Sequence, residues 1–227
     1  MKKKFVILLQ ARMSSTRFPK KILKNINNIP IAVLSAKRAS NTGGEVIVLT
    51  STNNSDDELV GILQKYNIKY FRGDLKNVLK RFVDAINGFD DTTPIFRLTA
   101  DNVFPDGRML DLMHSKYILN NCEYLTSIDQ RCGVPYGLNA EIMLAKHLRK
   151  AHKISLTEYE REHVTPKIKE FCNISFFDDY SYLEANKLRS TIDYEKDYKL
   201  ISKVFREVRD PIQICSTDLT LILKKLS

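Results

Sequence analysis

The first hundred residues switch repeatedly between two hydrophobic patterns, and this switching restricts the fold more than any other feature of the chain. Five consecutive apolar residues, Phe5 to Leu9, read as a strand buried on both faces. "PIAVLSAKRAS" follows, opening with Pro30, a residue suited to the first turn of a helix. "EVIVLTS" returns to strand. In "SDDELVGILQKY", Ser55 is the expected N-cap, Asp57 and Glu58 fall in the first turn, and Leu59, Val60, Leu63 and Tyr66 share one face. "IKYF" is a short strand. "NVLKRFVDAIN" carries a helical stripe of Val78, Leu79, Phe82, Val83 and Ile86, and "PIFRLTA" is a strand ending at Asp101. This alternation predicts an α/β fold, a mixed and mostly parallel sheet flanked by helices. Such sheets bind ligands beyond the carboxyl ends of their strands. Three loops therefore matter: Arg12 to Lys21, Arg72 to Asp74, and Asp101 to Asp106.

The second half is less regular. "EYLTSI" and "NAEIML" read as strands, "TEYEREHVTPKIKEF" as a helical region containing Pro166, and "STDLTLILKKLS" as a docking helix capped by Ser216 or Thr217. No repeat or linker divides the chain, so a single domain over residues 1–227 is expected. The apolar run at Phe5–Leu9 stops at Gln10, short of the roughly 7–15 residues of a secretory leader. No apolar stretch approaches the roughly 18 residues of a membrane span. The expectation is a cytoplasmic protein without a membrane partner. Cys122, Cys132, Cys172 and Cys215 form no C-x-x-C pair and read as free thiols.

A formal net charge of +9 favours anionic partners. A nucleic acid is disfavoured, since the chain has no Trp, no RNP-type aromatic motif and no zinc-finger spacing. A small polyanion needs fewer cations, placed with more care. The first loop, "QARMSSTRFPKK", has no Walker or G-x-G-x-x-G pattern, so side chains must do most of the phosphate holding, helped by N–H groups of the Ser14–Thr16 turn. Arg12 and Arg17 offer planar donor forks and Lys21 a movable point charge. The competing reading is a solvated basic loop. Asp101 alone reads equally as a helix cap, and Asp193 as the cap of a helix beginning near Glu195. Yet "FRLTAD" and "LRSTID" are similar in form, which suits two strand ends delivering carboxylates to one hard cation such as Mg²⁺.

These residues resemble a known family. "QARMSSTRFPKKIL" is similar to the Q-A-R-x-x-S-T-R-x-P-x-K signature of the cytidylyltransferases, of the spore coat polysaccharide biosynthesis type related to CMP-sugar-acid synthetases. The resemblance continues through "STNNSDDELV", "YFRGDLKNVLKRF", "FRLTADNVFPD", "PYGLNAEI", "YEREHVTPKI" and "LRSTIDYEKDYKLI", nearly the whole chain in order. It implies a glycosyltransferase-A-like nucleotide-diphospho-sugar transferase fold that uses CTP and Mg²⁺. Position by position it implies nucleotide contacts from Gln10, Ala11, Arg12, Ser15, Arg17, Lys21, Arg72, Gly73, Arg81 and Asp101. Catalytic roles fall to Arg12, Lys21, Asp101 and Asp193, the two aspartates as metal ligands. The acceptor side would include Gly137, Glu141, Glu160, Arg161, Glu162 and His163. The chain departs from the family pattern at Ser14 and Lys20, where Gly is frequent, at Val103 (Pro) and at Asn139 (Asp).

The expected activity is CMP transfer from CTP to a small anionic sugar acid, of nonulosonate or 3-deoxy-octulosonate type, by an enzyme of surface-polysaccharide synthesis that the resemblance makes a homodimer. The principal rival is a glycosyltransferase of the same fold acting on a finished nucleotide sugar. The absence of D-x-D counts against it.

Overall fold

A computed structural model describes residues 5–227. Strand β1 (Val6–Gln10) leads through the first loop into a two-stranded hairpin, β2 (Asn25–Ile26) and β3 (Ile29–Pro30), and helix α1 (Ile31–Ala39). Then come β4 (Glu45–Ser51), α2 (Asp57–Lys65), β5 (Tyr70–Gly73), α3 (Val78–Ala85), β6 (Pro94–Thr99) and α4 (Gly107–Leu119). The second half holds β7 (Tyr124–Thr126), β8 (Glu141–Leu144), α5 (Ala145–Ile154), α6 (Glu158–His163) and α7 (Pro166–Phe171). It ends with β9 (Ile174–Phe176), α8 (Glu195–Arg206) and α9 (Ser216–Leu226).

Seven strands form one sheet in the order β5-β4-β1-β6-β8-β7-β9. The expected parallel half is present: β1 runs parallel to β4 and β6, and β4 to β5. The remainder is mixed, since β8 is antiparallel to both β6 and β7, while β9 is parallel to β7. The chain steps outward from β1 through β4 to β5, then returns to place β6 on the other side of β1. The strand order therefore reverses between β1 and β6, where a parallel sheet opens its binding crevice. The loops after these two strands leave side by side, because Gln10 is in register with Thr99 and the Ala100 N–H donates to Gln10 O.

Side chains of β1 alternate between the faces, as a strand requires. Phe5, Ile7 and Leu9 join one apolar cluster with α1 and α4, whereas Val6 and Leu8 join a second with α3 and α5. Covered on both sides, the strand end is held rigidly against the loop it feeds. Among the described residues, no helix is long and apolar enough to cross a membrane.

Two local expectations are corrected and a third is refined. The Ser55 hydroxyl is not the α2 cap; Asn53 accepts from the Ser55 N–H, and the residue before the helix is the buried Asp56. At the last helix, Ser216 is already helical and Cys215 precedes it; no side chain caps it from Ser216 or Thr217, and the Ser216 N–H donates to Asp106 instead. The helical region from Thr157 to Phe171 is two helices, split at Val164. The Thr165 N–H donates to His163 O at 2.8 Å across Val164, whose φ is 68° and ψ −54°. This is a γ-turn of positive φ, strained for a β-branched residue. Full burial of the Val164 side chain in the second cluster holds it in place.

Candidate active site

Three cavities lie side by side along the carboxyl ends of the strands. The central one, about 230 Å³, is lined by the first loop, including Gln10, Ala11, Arg12, Ser15, Arg17 and Lys21, together with Asp101 and Asp193. It shares Arg17, Asp101 and Asp193 with a cavity of about 540 Å³ that reaches toward β8 and α6. On its other side, Arg12 and Ser14 also line a third space of about 710 Å³, with residues 74–77 and the outer face of α6.

Bonds within the protein shape the first loop. Asp56, fully buried, accepts from the Met13 N–H at 2.8 Å and the Ser51 N–H at 2.9 Å, tying the loop to the end of β4. Burial pushes this carboxyl up, but bonds from Ser51 and Met13 outweigh it and hold the pKa below the ordinary value. The Ser15 hydroxyl accepts from the Phe18 N–H at 3.3 Å, and the Ser15 N–H turns inward to Met13 O. Lys20 adopts φ 55°, the left-handed conformation for which glycine is suited, and its ammonium reaches Glu58. Its neighbour Lys21 points the other way, into the site.

Lys21 is the centre of the arrangement. Its ammonium donates to Asp101 Oδ2 at 2.7 Å, to Ile192 O at 2.7 Å and to Asp193 Oδ1 at 3.1 Å. Both carboxylates are thus within reach of one nitrogen, and their nearest oxygens are no farther apart than the sum of those two distances. The Asp193 carboxylate also accepts from Arg17 and Arg189. Burial pushes the Asp193 carboxyl up, yet Lys21, Arg17 and Arg189 together hold its pKa below the usual range. The reading of Asp193 as a helix cap is overturned: Asp197 takes the N–H groups of Asp193 and Tyr194 at the start of α8. Nor does Asp193 end a regular strand. Its segment joins by isolated bridges, Asn102 with Thr191 and Tyr136 with Arg189, and the Ile192 N–H donates to Asp101 O.

Asp101 and Asp193 fit a hard divalent cation, which takes one or two carboxylates and completes its shell with water and substrate phosphate. Among the described residues, no group of three or more Asp, Glu, His or Cys is gathered for a metal. The donor set therefore suits a cation that arrives with phosphate oxygens rather than one caged by protein.

The floor of the cavity of about 540 Å³ was not anticipated in full. Arg97 and Glu141 are cross-strand partners on β6 and β8 and form a salt bridge. Glu141, 2% exposed, also receives the hydroxyls of Tyr124 and Thr165 and faces Lys169 at 3.2 Å. Burial would raise its pKa; the charges of Arg97 and Lys169 and the Tyr124 bond prevail and lower it to about 2. Arg97 retains a buried Nε with no partner. The signal in the sequence was a lone Arg within the apolar strand "PIFRLTA".

The γ-turn at Val164 completes this cavity. In an unbroken helix, residues 163 and 165 would lie about 200° apart around the axis. The turn lets Tyr159 and His163 from α6 and Thr165 and Lys169 beyond it face the same space.

Other expected site residues lie elsewhere. Arg72, Gly73 and Arg81 line none of the three cavities. Arg72 donates to Ser51 O and Asn53 O, and buried Arg81 donates to Asp74 O and Leu75 O. A Cβ on Gly73 would lie 2.8 Å from the Arg81 side chain. Gly73 and Arg81 pack together behind the loop at 74–77, whereas Arg72 ties the end of β5 to the segment after β4, with a further ion pair to Asp57. Glu160 is taken up by a capping box with Thr157, and Arg161 and Glu162 face the third cavity, Glu162 pairing with Arg12 at 3.2 Å. Gly137, at φ 114°, serves the backbone: a Cβ there would sit 2.3 Å from the Thr191 nitrogen. Its neighbours Tyr136 and Asn139 line the cavity in its stead.

Residues 6–207 match the cytidylyltransferase family. This chain belongs to it. Spore coat polysaccharide biosynthesis protein SpsF of Bacillus subtilis is 26% identical over 230 residues, covering 97% of this chain and 94% of that protein. A cytidylyltransferase structure from Leptospira borgpetersenii is 30% identical with a TM-score of 0.88, covering 98% of this chain and 94% of that one. A CMP:2-keto-3-deoxy-manno-octonic acid synthetase complexed with CTP shares the fold, at 14% identity, a TM-score of 0.66, and coverage of 90% and 99% respectively.

Proposed function

We propose that this cytidylyltransferase transfers CMP from CTP to an anionic, sugar-type acceptor, and that the reaction requires Mg²⁺. The observation that carries the reading is the meeting of two cavities at Asp101, Asp193 and Arg17: one is lined by the basic loop, the other floored by two cations against one carboxylate. In this reading the triphosphate occupies the central cavity and the base the third. The acceptor lies over Arg97 and Lys169, whose combined charge exceeds that of Glu141 by one and suits one anionic group.

An acceptor hydroxyl oxygen attacks the α-phosphorus in line. The bond to the bridging oxygen breaks, pyrophosphate leaves, and the hydroxyl proton is released. Phosphoryl transfer of this kind depends largely on positioning and charge stabilisation. Arg12, Arg17 and Lys21 bind and orient the phosphates, while Tyr136, Asn139 and His163 frame the acceptor. Asp101 and Asp193 would hold a divalent cation, which when bound would supply charge neutralisation for the phosphates.

Thermal-shift measurements with each nucleoside triphosphate and Mg²⁺ test the nucleotide half; a ligand at 100 times its Kd adds about 2.7 kcal/mol of stability. Pyrophosphate release from CTP with a panel of sugar acids and matched neutral sugars tests the acceptor half. Stabilisation by UTP or GTP but not CTP, or release only with neutral sugars, overturns the corresponding half.

A further inference from the structure

Lys21 does more in this site than a phosphate-binding lysine needs to do. Its side chain is 9% exposed, and its ammonium bonds three oxygens at once: Asp101 Oδ2, Asp193 Oδ1 and Ile192 O. The surrounding charges balance. Lys21, Arg17 and Arg189 face Asp101, Asp193 and Asp197, with Arg189 reaching Asp197 at 3.6 Å. A bare divalent ion approaching the two carboxylates meets Asp101 Oδ2 and both Asp193 oxygens already engaged by cations. To bind both carboxylates, it must part the ammonium from them, leaving a mostly buried cation with the Ile192 carbonyl as its remaining partner. Removing the partner of a buried ion pair is costly, because the charge left behind is uncompensated.

A polyphosphate changes that balance. Lysine is a good point-charge partner for phosphate oxygens, and its four-carbon stem can swing. Once phosphate lies in the central cavity, the ammonium can exchange carboxylate for phosphate without becoming unpaired, and the carboxylates are released to the metal. We propose that Lys21 is an internal counterion that excludes divalent cations from Asp101 and Asp193 until a polyphosphate arrives to take it over. The proposal rests on the reading of the first loop as a phosphate site. It makes metal and nucleotide binding reciprocal, each tightening the other, with Lys21 as the element that couples them.

The proposal predicts an unusual sign: deleting this cation weakens nucleotide binding but tightens the binding of metal alone. The test is the binding of Mn²⁺ to the full chain without nucleotide, followed by the free-ion electron paramagnetic resonance signal, in the parent, K21M and K21Q. Tightening of about tenfold or more is expected in the variants, and it should vanish when D101N is added. Saturating CTP should tighten Mn²⁺ binding to the parent by a factor within the roughly 5–150-fold typical of coupled sites, and much less in K21M. K21M and K21Q that bind Mn²⁺ no better than the parent overturn the counterion role. Should neither variant fold, equal Mn²⁺ affinity of the parent with and without bound CTP overturns it. A parent that binds no CTP, beside variants that gain metal, leaves the exclusion standing and removes the nucleotide reading.

Discussion

Replacing Glu141 with Gln isolates the buried ionic cluster beneath the cavity that reaches toward β8 and α6. The substitution keeps the shape of the side chain and removes the charge that Arg97 and Lys169 face. Each tenfold change in proton affinity corresponds to about 1.4 kcal/mol. Holding the carboxyl at about 2 instead of 4.5 therefore makes the ionised form worth about 3 kcal/mol of folding stability at neutral pH. That agrees with the 3–5 kcal/mol typical of breaking a buried pair from one side. The folded pKa lies below the unfolded one, so this contribution is complete above about 4.5 and lost as pH falls through about 2. Urea melts of the parent and E141Q at pH 7, 5, 4 and 3 should show a gap of about 3 kcal/mol at the first two, shrinking at the others. A gap below about 1 kcal/mol at pH 7, or one unchanged down to pH 3, refutes the argument.

R17A should weaken CTP binding at least tenfold while leaving the melting temperature nearly unchanged, as measured by calorimetry of both; undiminished binding removes Arg17 from the phosphate site. K20A should do much less to CTP binding than K21A, because the Lys20 ammonium faces Glu58 on the outside of the loop. D101N and D193N should each stay folded and lose most turnover, and the double variant should be little worse than either, as residues acting as a unit behave; near-parental turnover of D193N at limiting Mg²⁺ would sink the shared-ligand assignment. G137A should cost more than about 2 kcal/mol in a chemical melt, since φ 114° is closed to alanine and the added Cβ meets backbone; a smaller loss would mean the crossing yields easily.

Periodicity made the parallel half of the fold legible because β1, β4 and β6, and the helices between them, are long enough to carry a pattern. The three strands β7, β8 and β9 have three or four residues each, and no period can announce whether such segments run parallel or antiparallel. Pro166 marks a break between Thr157 and Phe171, as a proline does to the helix before it, and it opens α7. The γ-turn at Val164 was not legible, because the positive φ of a valine is held by burial in the second cluster, a tertiary event. The first loop disclosed its cations, but their directions depend on neighbours far along the chain. Arg12 turns to Glu162, Lys20 to Glu58 and Lys21 to Asp101. Asp56 was overlooked since a carboxylate before a helix looks like an ordinary cap, whereas this one braces a loop 43 positions away. Arg97 needed the β6–β8 register to find its partner, and that register is fixed only by the folded sheet.

The crossing at Gly137 limits how such an enzyme can diversify. Tyr136 and Arg189 are bridged there, the Ser190 and Thr191 N–H groups both donate to Tyr136 O, and Asp193 follows two residues later. The cavity wall at Tyr136, which in the proposed reading frames the acceptor, and the segment leading to Asp193 are stitched by backbone, with no room for a side chain between them. Descendants of this chain can exchange Tyr136 or Asn139 and so trade one acceptor for another. Lengthening the loop at this point would pull the carboxylate out of place along with the wall. Substrate range in this lineage should therefore drift by side-chain replacement around a crossing of fixed length.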